Sequence, residues 1–200
     1  KIKGLNKIIL ATTKNKEDKK LSEIAKKNKI NIFYGDEHNV IKRYYDCSKK
    51  FKLDIILRIT GDCPVISSDV MNILIDQHIK KNSSFTIPKK ATIGSAGEVI
   101  NFQSLKKVNE HVKKNMPTIK YSEYFRYLFN IKKLRIACSN IVLPKHLISK
   151  HRLTTDYASD FTMFNQLFKL LKKKKININL ENIIKFLDKN REISKINKNN

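Results

Sequence analysis

A single α/β domain built on a mostly parallel sheet is the fold class this chain predicts, and three observations carry it. Short apolar runs rich in β-branched residues, Lys7–Thr13, Ile30–Tyr34 and Asp54–Thr60, read as buried strands. Stretches with apolar residues at helical spacing follow each of them. Strand and helix alternate three times in the first 80 residues or so, the pattern of parallel strands joined by right-handed crossovers. With 200 residues the chain is long enough to bury one substantial core.

The elements follow in order. After the first strand, Leu21, Ile24 and Ala25 mark a helix to about Asn28. Gly35 closes the second strand, and Val40, Ile41, Tyr44, Tyr45, Ser48 and Phe51 give the next helix one apolar face. Beyond strand 54–60, Ser67 or Ser68 is suited to cap a helix running through Met71, Ile75 and His78. After Ser84–Pro88 the rhythm loosens into a loop, Lys89–Gly97, with two glycines. Glu98–Phe102 reads as a short strand, Gln103–Asn115 as a helix stopped by Pro117, and Tyr121–Phe129 as an aromatic-rich helix. Leu134–Cys138 and Arg152–Thr155 read as late strands. An amphipathic helix over Tyr157–Leu171 is expected to place Phe161, Phe164, Leu167, Phe168 and Leu171 on one side. Leu180–Leu187 is the last expected helix, and 188–200 a polar tail expected to fray.

Charge narrows the function classes less than its size suggests. The formal net charge is +24, from 42 Lys and Arg against 18 Asp and Glu, which invites a nucleic-acid reading. Yet arginines, the residues suited to bidentate phosphate and base recognition, are few, and the lysines are spread along the chain among Asn and Ile. That distribution reads as a compositional bias rather than a binding patch, so no nucleic-acid partner is expected. Cys47, Cys63 and Cys138 are far apart and odd in number, which points to a reducing, cytoplasmic setting. No apolar run approaches the length of a bilayer span.

The most informative stretch is Arg58-Ile59-Thr60-Gly61-Asp62-Cys63-Pro64-Val65-Ile66. In open α/β sheets ligands bind just past the carboxyl ends of strands. Asp62 stands at such an end, preceded by a glycine that admits close backbone approach, and suits a divalent cation on a phosphate. Gly-Asp with a nearby Pro is also ordinary turn chemistry. Asp156 likewise follows a short run, Arg152–Thr155, where it suits either a cation or the cap of the next helix.

Four segments in this order resemble one family: Ala11-Thr12-Thr13; Gly35 with Val40–Tyr45; Arg58–Ile66; and Arg152–Asp156 followed by Asp160-Phe161. The likeness is to cytidylyltransferases of the spore-coat-polysaccharide type, relatives of the enzymes that make CMP-activated keto-deoxy-octulosonate and acylneuraminate. It implies a nucleotide-diphospho-sugar transferase fold, a GT-A-like, Rossmann-like α/β/α sandwich with a mixed, mostly parallel sheet, over residues 1–187. It also implies a reaction in which a sugar hydroxyl attacks the α-phosphorus of CTP and pyrophosphate leaves. Its partners are CTP and a sugar or keto-acid sugar acceptor, with a homodimer as the family's common state. Mg²⁺ is the implied cofactor, with Asp62 and Asp156 as its ligands and the catalytic pair.

The remaining site expectations are smaller. Thr12, Thr13, Arg58, Thr60 and Gly61 are expected toward the nucleotide, and Arg43, Glu98 and Arg152 toward the acceptor. Each has a plain alternative: β-branched strand residues for Thr12 and Thr13, a surface residue with a buried stem for Arg43, a strand-edge charge for Glu98. Arg58, within a strand, needs a buried partner of opposite charge. The family opens with a Gly/Ser loop carrying an Arg and a Lys that wraps the triphosphate, and Lys1–Asn6 does not match it. The resemblance therefore implies a chain incomplete at its N-terminus and impaired as a catalyst. Tyr34, Asn39, Ala96 and the stretch Tyr121–Tyr124 also depart from the family pattern. The alternatives are a non-catalytic relative that binds sugar nucleotides and a basic nucleic-acid-binding protein.

Overall fold

The computed structural model describes residues 1–116 and 124–198. Among these described residues six strands run in chain order as β1 (Ile9–Thr12), β2 (Asn31–Tyr34), β3 (Ile55–Arg58), β4 (Phe85–Pro88), β5 (Glu98–Asn101) and β6 (Cys138–Ile141). The helices are α1 (Lys19–Lys27), α2 (Val40–Phe51), α3 (Ser68–Lys80), α4 (Phe102–Asn115), α5 (Phe125–Phe129), α6 (Ala158–Lys173), α7 (Leu180–Lys189) and α8 (Arg191–Ser194). β1 and β2 pair in parallel, and the other four form a sheet ordered β3-β5-β4-β6. β5 runs antiparallel to β3 and β4, while β4 and β6 are parallel. β3, β4 and β6 thus run one way and β5 the other, which is the expected mixed, mostly parallel arrangement.

Strand alternation splits the apolar residues between two cores, one on each face. Val99 points into a core with α3, α6, α7 and α8, and its neighbour Ile100 into a core with α2, α4 and α5. Ile56 and Leu57 divide the same way. The result is an α/β/α sandwich, and no helix among the described residues is long and apolar enough to cross a membrane. Ser67 caps α3, its hydroxyl accepting from Val70 N at 3.3 Å, and Asn39 caps α2 by accepting from Lys42 N at 2.9 Å.

Several expectations are corrected. The expected strands 7–13 and 54–60 are shorter and less buried than their apolar sequences suggest, with Ile8 58% and Ile55 43% exposed. Each is hydrogen-bonded to one neighbouring strand among the described residues, so one edge stays open. Ser84–Pro88 supplies a central strand, β4, whose Phe85, Thr86 and Ile87 are all buried. The late strand at Leu134–Cys138 lies later, at Cys138–Ile141, because Lys132–Leu134 winds into a 3-10 turn ended by Arg135 at φ 47°. Among the described residues Arg152–Thr155 forms no strand, only one bridge from Arg152 to Ile93. Tyr121–Glu123 lies outside the described residues, and the aromatic helix is seen as Phe125–Phe129. Phe161 is 62% exposed, because the buried row of α6 starts from Asp160 and continues through Met163, Phe164, Leu167 and Leu171.

The tail expected to fray does not do so through Asn197. Ile193 and Asn197 are 2% and 3% exposed, and Ile196 packs against the core of α6 and α7.

Candidate active site

β3 delivers the chain to Thr60-Gly61-Asp62, just past its carboxyl end, and a second loop comes to meet it. Thr155 N donates to the Asp62 carbonyl at 2.8 Å, joining residues nearly a hundred positions apart. The Thr154 hydroxyl lies 3.3 Å from Asp62 Oδ2 and 3.3 Å from Asp156 Oδ2. One hydroxyl thus stands between the two carboxylates assigned as a pair from sequence, whose oxygens are no farther apart than twice that distance. Cys63 Sγ also donates to Asp62 Oδ1 at 3.4 Å. Burial pushes the Asp62 carboxyl up, but hydrogen bonds from Thr60, Cys63, its own backbone and Thr154 outweigh it and hold it below the usual carboxylate range. Asp62 is therefore ionised at neutral pH. Among the described residues a Cβ built on Gly61 would meet no atom within 4 Å, so the backbone beside Asp62 is open to close approach there.

The second loop is held in place by a glycine. Gly94 has φ +80°, and a Cβ there would sit 2.0 Å from the Leu153 carbonyl oxygen. The bridge between Ile93 and Arg152 and the bond from Leu153 N to Ile93 O (2.9 Å) depend on that approach. Thr154 follows directly.

Asp156 is not the cap of α6. Tyr157 occupies the cap position, and Asp160, three residues into the helix, reaches back to Tyr157 N at 3.0 Å and Asp156 N at 2.9 Å. Asp156 Oδ2 instead accepts from Arg152 and Thr154. Arg152 joins both acids: its NH2 group donates to Asp156 Oδ2 and to Asp160 Oδ2 (3.2 Å), and its Nε to Asp160 Oδ1 (3.3 Å). Asp160 is fully buried, which raises its pKa, yet the bonds from Arg152, Asp156 N, Asn197 and Tyr157 N bring it down to about 2.

Two carboxylates bridged by a hydroxyl suit a small hard cation that takes one or two protein carboxylates and completes its shell with phosphate and water. Among the described residues no group of three or more His, Cys, Asp or Glu side chains forms a cluster that could hold a metal by itself. An oxygen-only pair of this kind is chemically compatible with Mg²⁺, which fills most of its shell with water and phosphate oxygens.

A family model described as cytidylyltransferase matches residues 1–190. The chain belongs to the cytidylyltransferase family. It is 33% identical over 199 residues to an uncharacterized protein of Methanocaldococcus jannaschii, a match covering all of this chain and 80% of the relative. It is also 28% identical over 99 residues to the spore coat polysaccharide biosynthesis protein SpsF of Bacillus subtilis, covering 50% of this chain and 41% of that one. A solved cytidylyltransferase from Leptospira borgpetersenii superposes with a TM-score of 0.79 at 25% identity, covering 92% of this chain and 77% of that chain. The expected family, enzyme class and nucleotide-sugar transferase fold are thereby shown.

The other assigned residues of this cytidylyltransferase fall into three groups. Arg152 stands beside the aspartates, bound to them rather than open. Thr12 ends β1 and Thr13 follows it, and there Asp18 Oδ2 accepts from both hydroxyls (2.7 and 2.6 Å) and from Thr13 N (3.0 Å). Those bonds, led by the Thr13 hydroxyl, hold Asp18 below the usual carboxylate range, and Arg43 adds a weaker pull in the same direction. Arg43 packs on Gly35 and donates to the carbonyls of Asp36 (2.8 Å) and Glu37 (3.3 Å).

Arg58 and Glu98 form the third group, each serving as the other's partner. They are register partners across β3 and β5, with Arg58 NH1 2.8 Å from Glu98 Oε2. The guanidinium also lies 4.3 Å from the centroid of the Phe125 ring. Burial pushes the Glu98 carboxyl above its usual range even against the Arg58 charge.

Four residues at these sites had no role assigned from sequence: Asp18, Thr154, Asp160 and Asn197. Asp18 carried a signal, being an acid one turn after the Thr-Thr at a strand end. Thr154 and Asp160 stood inside the family-like segment, and Asn197 was hidden in an Asn/Lys-rich tail.

Proposed function

We propose that this cytidylyltransferase transfers CMP from CTP to a hydroxyl of a sugar or keto-acid sugar, releasing pyrophosphate, in the cytoplasm and in the service of surface-polysaccharide synthesis. The acceptor oxygen bonds to the α-phosphorus as the bond from that phosphorus to the bridging oxygen breaks. Pyrophosphate leaves with the electron pair, and the hydroxyl proton passes to solvent or a nearby base. The observation that carries the reading is the Thr154 hydroxyl lying 3.3 Å from one oxygen of Asp62 and one of Asp156. Reactions of this kind rest on positioning and on neutralising phosphate charge. Mg²⁺ held by Asp62 and Asp156 supplies that neutralisation when bound.

The protein's own groups do the rest. Asp62 stays ionised because its hydrogen bonds hold its pKa down. Arg152 fixes the Asp156 carboxylate from one side and Thr154 from the other. The open backbone at Gly61 and the hydroxyl of Thr60 face the nucleotide, and Thr12 and Thr13, oriented by Asp18, line its other flank. Arg58 and Glu98 hold the carboxyl end of β3 against β5, and Arg43 fixes the turn after β2. The SpsF name of one relative supports the polysaccharide setting.

The test is pyrophosphate release from CTP and Mg²⁺ by the product of the whole reading frame, with a panel of keto-acid and amino sugars and with UTP as the competing nucleotide. Release that needs CTP and an acceptor, and that Asp62→Ala and Asp156→Ala each abolish, is the expected result. No CTP-dependent release with any acceptor, or release undiminished in both variants, overturns the reading.

A further inference from the structure

Asn197 links the last described turn of the chain to the aspartates. Its side-chain amide donates to Asp160 Oδ1 at 2.8 Å and to the Arg152 carbonyl at 3.1 Å, and the residue is almost wholly buried. From there the contacts run inward without a gap. Asp160 Oδ2 holds the backbone N–H of Asp156, and both Asp160 oxygens hold Arg152. Arg152 in turn holds the Asp156 side chain. Backbone and carboxylate of Asp156 are thus both fixed by groups that Asp160 orders, and Asp160 is ordered in part by Asn197.

Mechanical anchoring of the tail does not require this residue type. Ile193 already seats the stretch in the core, and a buried Asn costs free energy unless its amide is bonded. A neutral donor is what the remaining side of Asp160 Oδ1 needs, since a second cation there would compete with Arg152 for the Asp160 carboxylate. Groups that orient a ligating carboxylate commonly change cation affinity by about 10–100-fold when removed. The geometry points to Asn197 and Asp160 as positioning residues for Asp156, which makes the C-terminal turn a working part of the cation site. This rests on the two-aspartate reading above.

The test uses Mn²⁺ alone as the probe, titrated calorimetrically into the full chain well below the lowest Tm of the set. Asn197→Ala is expected to weaken Mn²⁺ binding about tenfold, the low end of that range for a group two hydrogen bonds from Asp156. Asn197→Asp, which turns an acceptor toward Asp160, is expected to weaken it further, and Asn197→Ser, which keeps a donor, to recover part of the loss. Lys195→Ala, exposed on the same stretch, is expected to bind as wild type. A role confined to stability lowers Tm in Asn197→Ala and leaves Mn²⁺ affinity unchanged, and that result overturns the inference. Equal weakening by Lys195→Ala overturns it too. Wild type that binds no Mn²⁺ overturns instead the two-aspartate reading beneath it.

Discussion

Replacing Arg58 by Met tests how β3 tolerates a charge in its interior. Arg58 and Glu98 side chains are 11% and 17% exposed, and their 2.8 Å contact is reinforced by the Phe125 ring face. Removing one partner of a buried pair typically costs about 3–5 kcal/mol, because the other charge is left without compensation. Two features place Arg58→Met near the low end, about 3 kcal/mol at neutral pH: Met refills most of the volume, and Glu98 is already inclined to take a proton. The double variant Arg58→Met/Glu98→Leu removes both charges of this pair and is expected to cost less than Arg58→Met alone.

Equilibrium unfolding in urea at constant m-value measures all three variants. The pH dependence has a definite sign. With its folded pKa above the unfolded value, Glu98 binds more protons in the native state, so its contribution is fully present at low pH and is lost as pH rises through the raised value. Without Arg58 that pKa rises further, so the deficit of Arg58→Met shrinks on going from pH 7 to about pH 5. A double variant that merely adds the two single losses, with a coupling under about 0.5 kcal/mol, refutes the reasoning. So does a deficit that grows on acidification. The folded double variant then separates scaffold from substrate roles: a pair that only holds β3 to β5 leaves kcat/KM near wild type, and a substrate role does not.

Other positions make shorter predictions. Gly94→Ala is expected to displace Leu153 and Thr154, with a lower Tm and a larger proportional loss of activity than of stability; a fully active, stable variant contradicts the close approach seen there. Asp18→Asn is expected to speed amide exchange at Thr13. It should also flatten the acid limb of stability, since a carboxylate with a lowered folded pKa stabilises above its unfolded pKa and loses that contribution as pH falls; parallel acid limbs count against it. Ser67→Ala is expected to cost about 1 kcal/mol in urea unfolding through the lost cap of α3, and no change in stability argues against the bond to Val70.

What could be read in advance divides along physical lines. The face of α2, the cap at Ser67 and the position of the strand before Asp62 are local, fixed by spacing within a few residues, and each appears where its spacing implies, although β3 is shorter and less buried than expected. The pairing of Asp62 with Asp156 was reachable only through the resemblance, because no local rule joins strand ends so far apart. Where polarity and position conflict, hydrophobicity misleads. Phe161 looked like the inner face of α6, but Asp160 takes that place because Arg152, Asn197 and two backbone N–H groups satisfy it. Asn197 fails for the same reason in reverse, since a polar residue in a polar tail carries no sign of burial. The Ile193 and Ile196 spacing was the available hint.

Synthesis from N- to C-terminus gives the tail contact a consequence in time. The β3–β5 ladder and the helices over it can form while the chain is still being made, but Asn197 leaves the ribosome 37 residues after Asp160. Until it arrives, Asp160 Oδ1 lacks one of its donors and the loop carrying Asp156 is held less tightly. The sheet can therefore form before the two aspartates reach their finished arrangement.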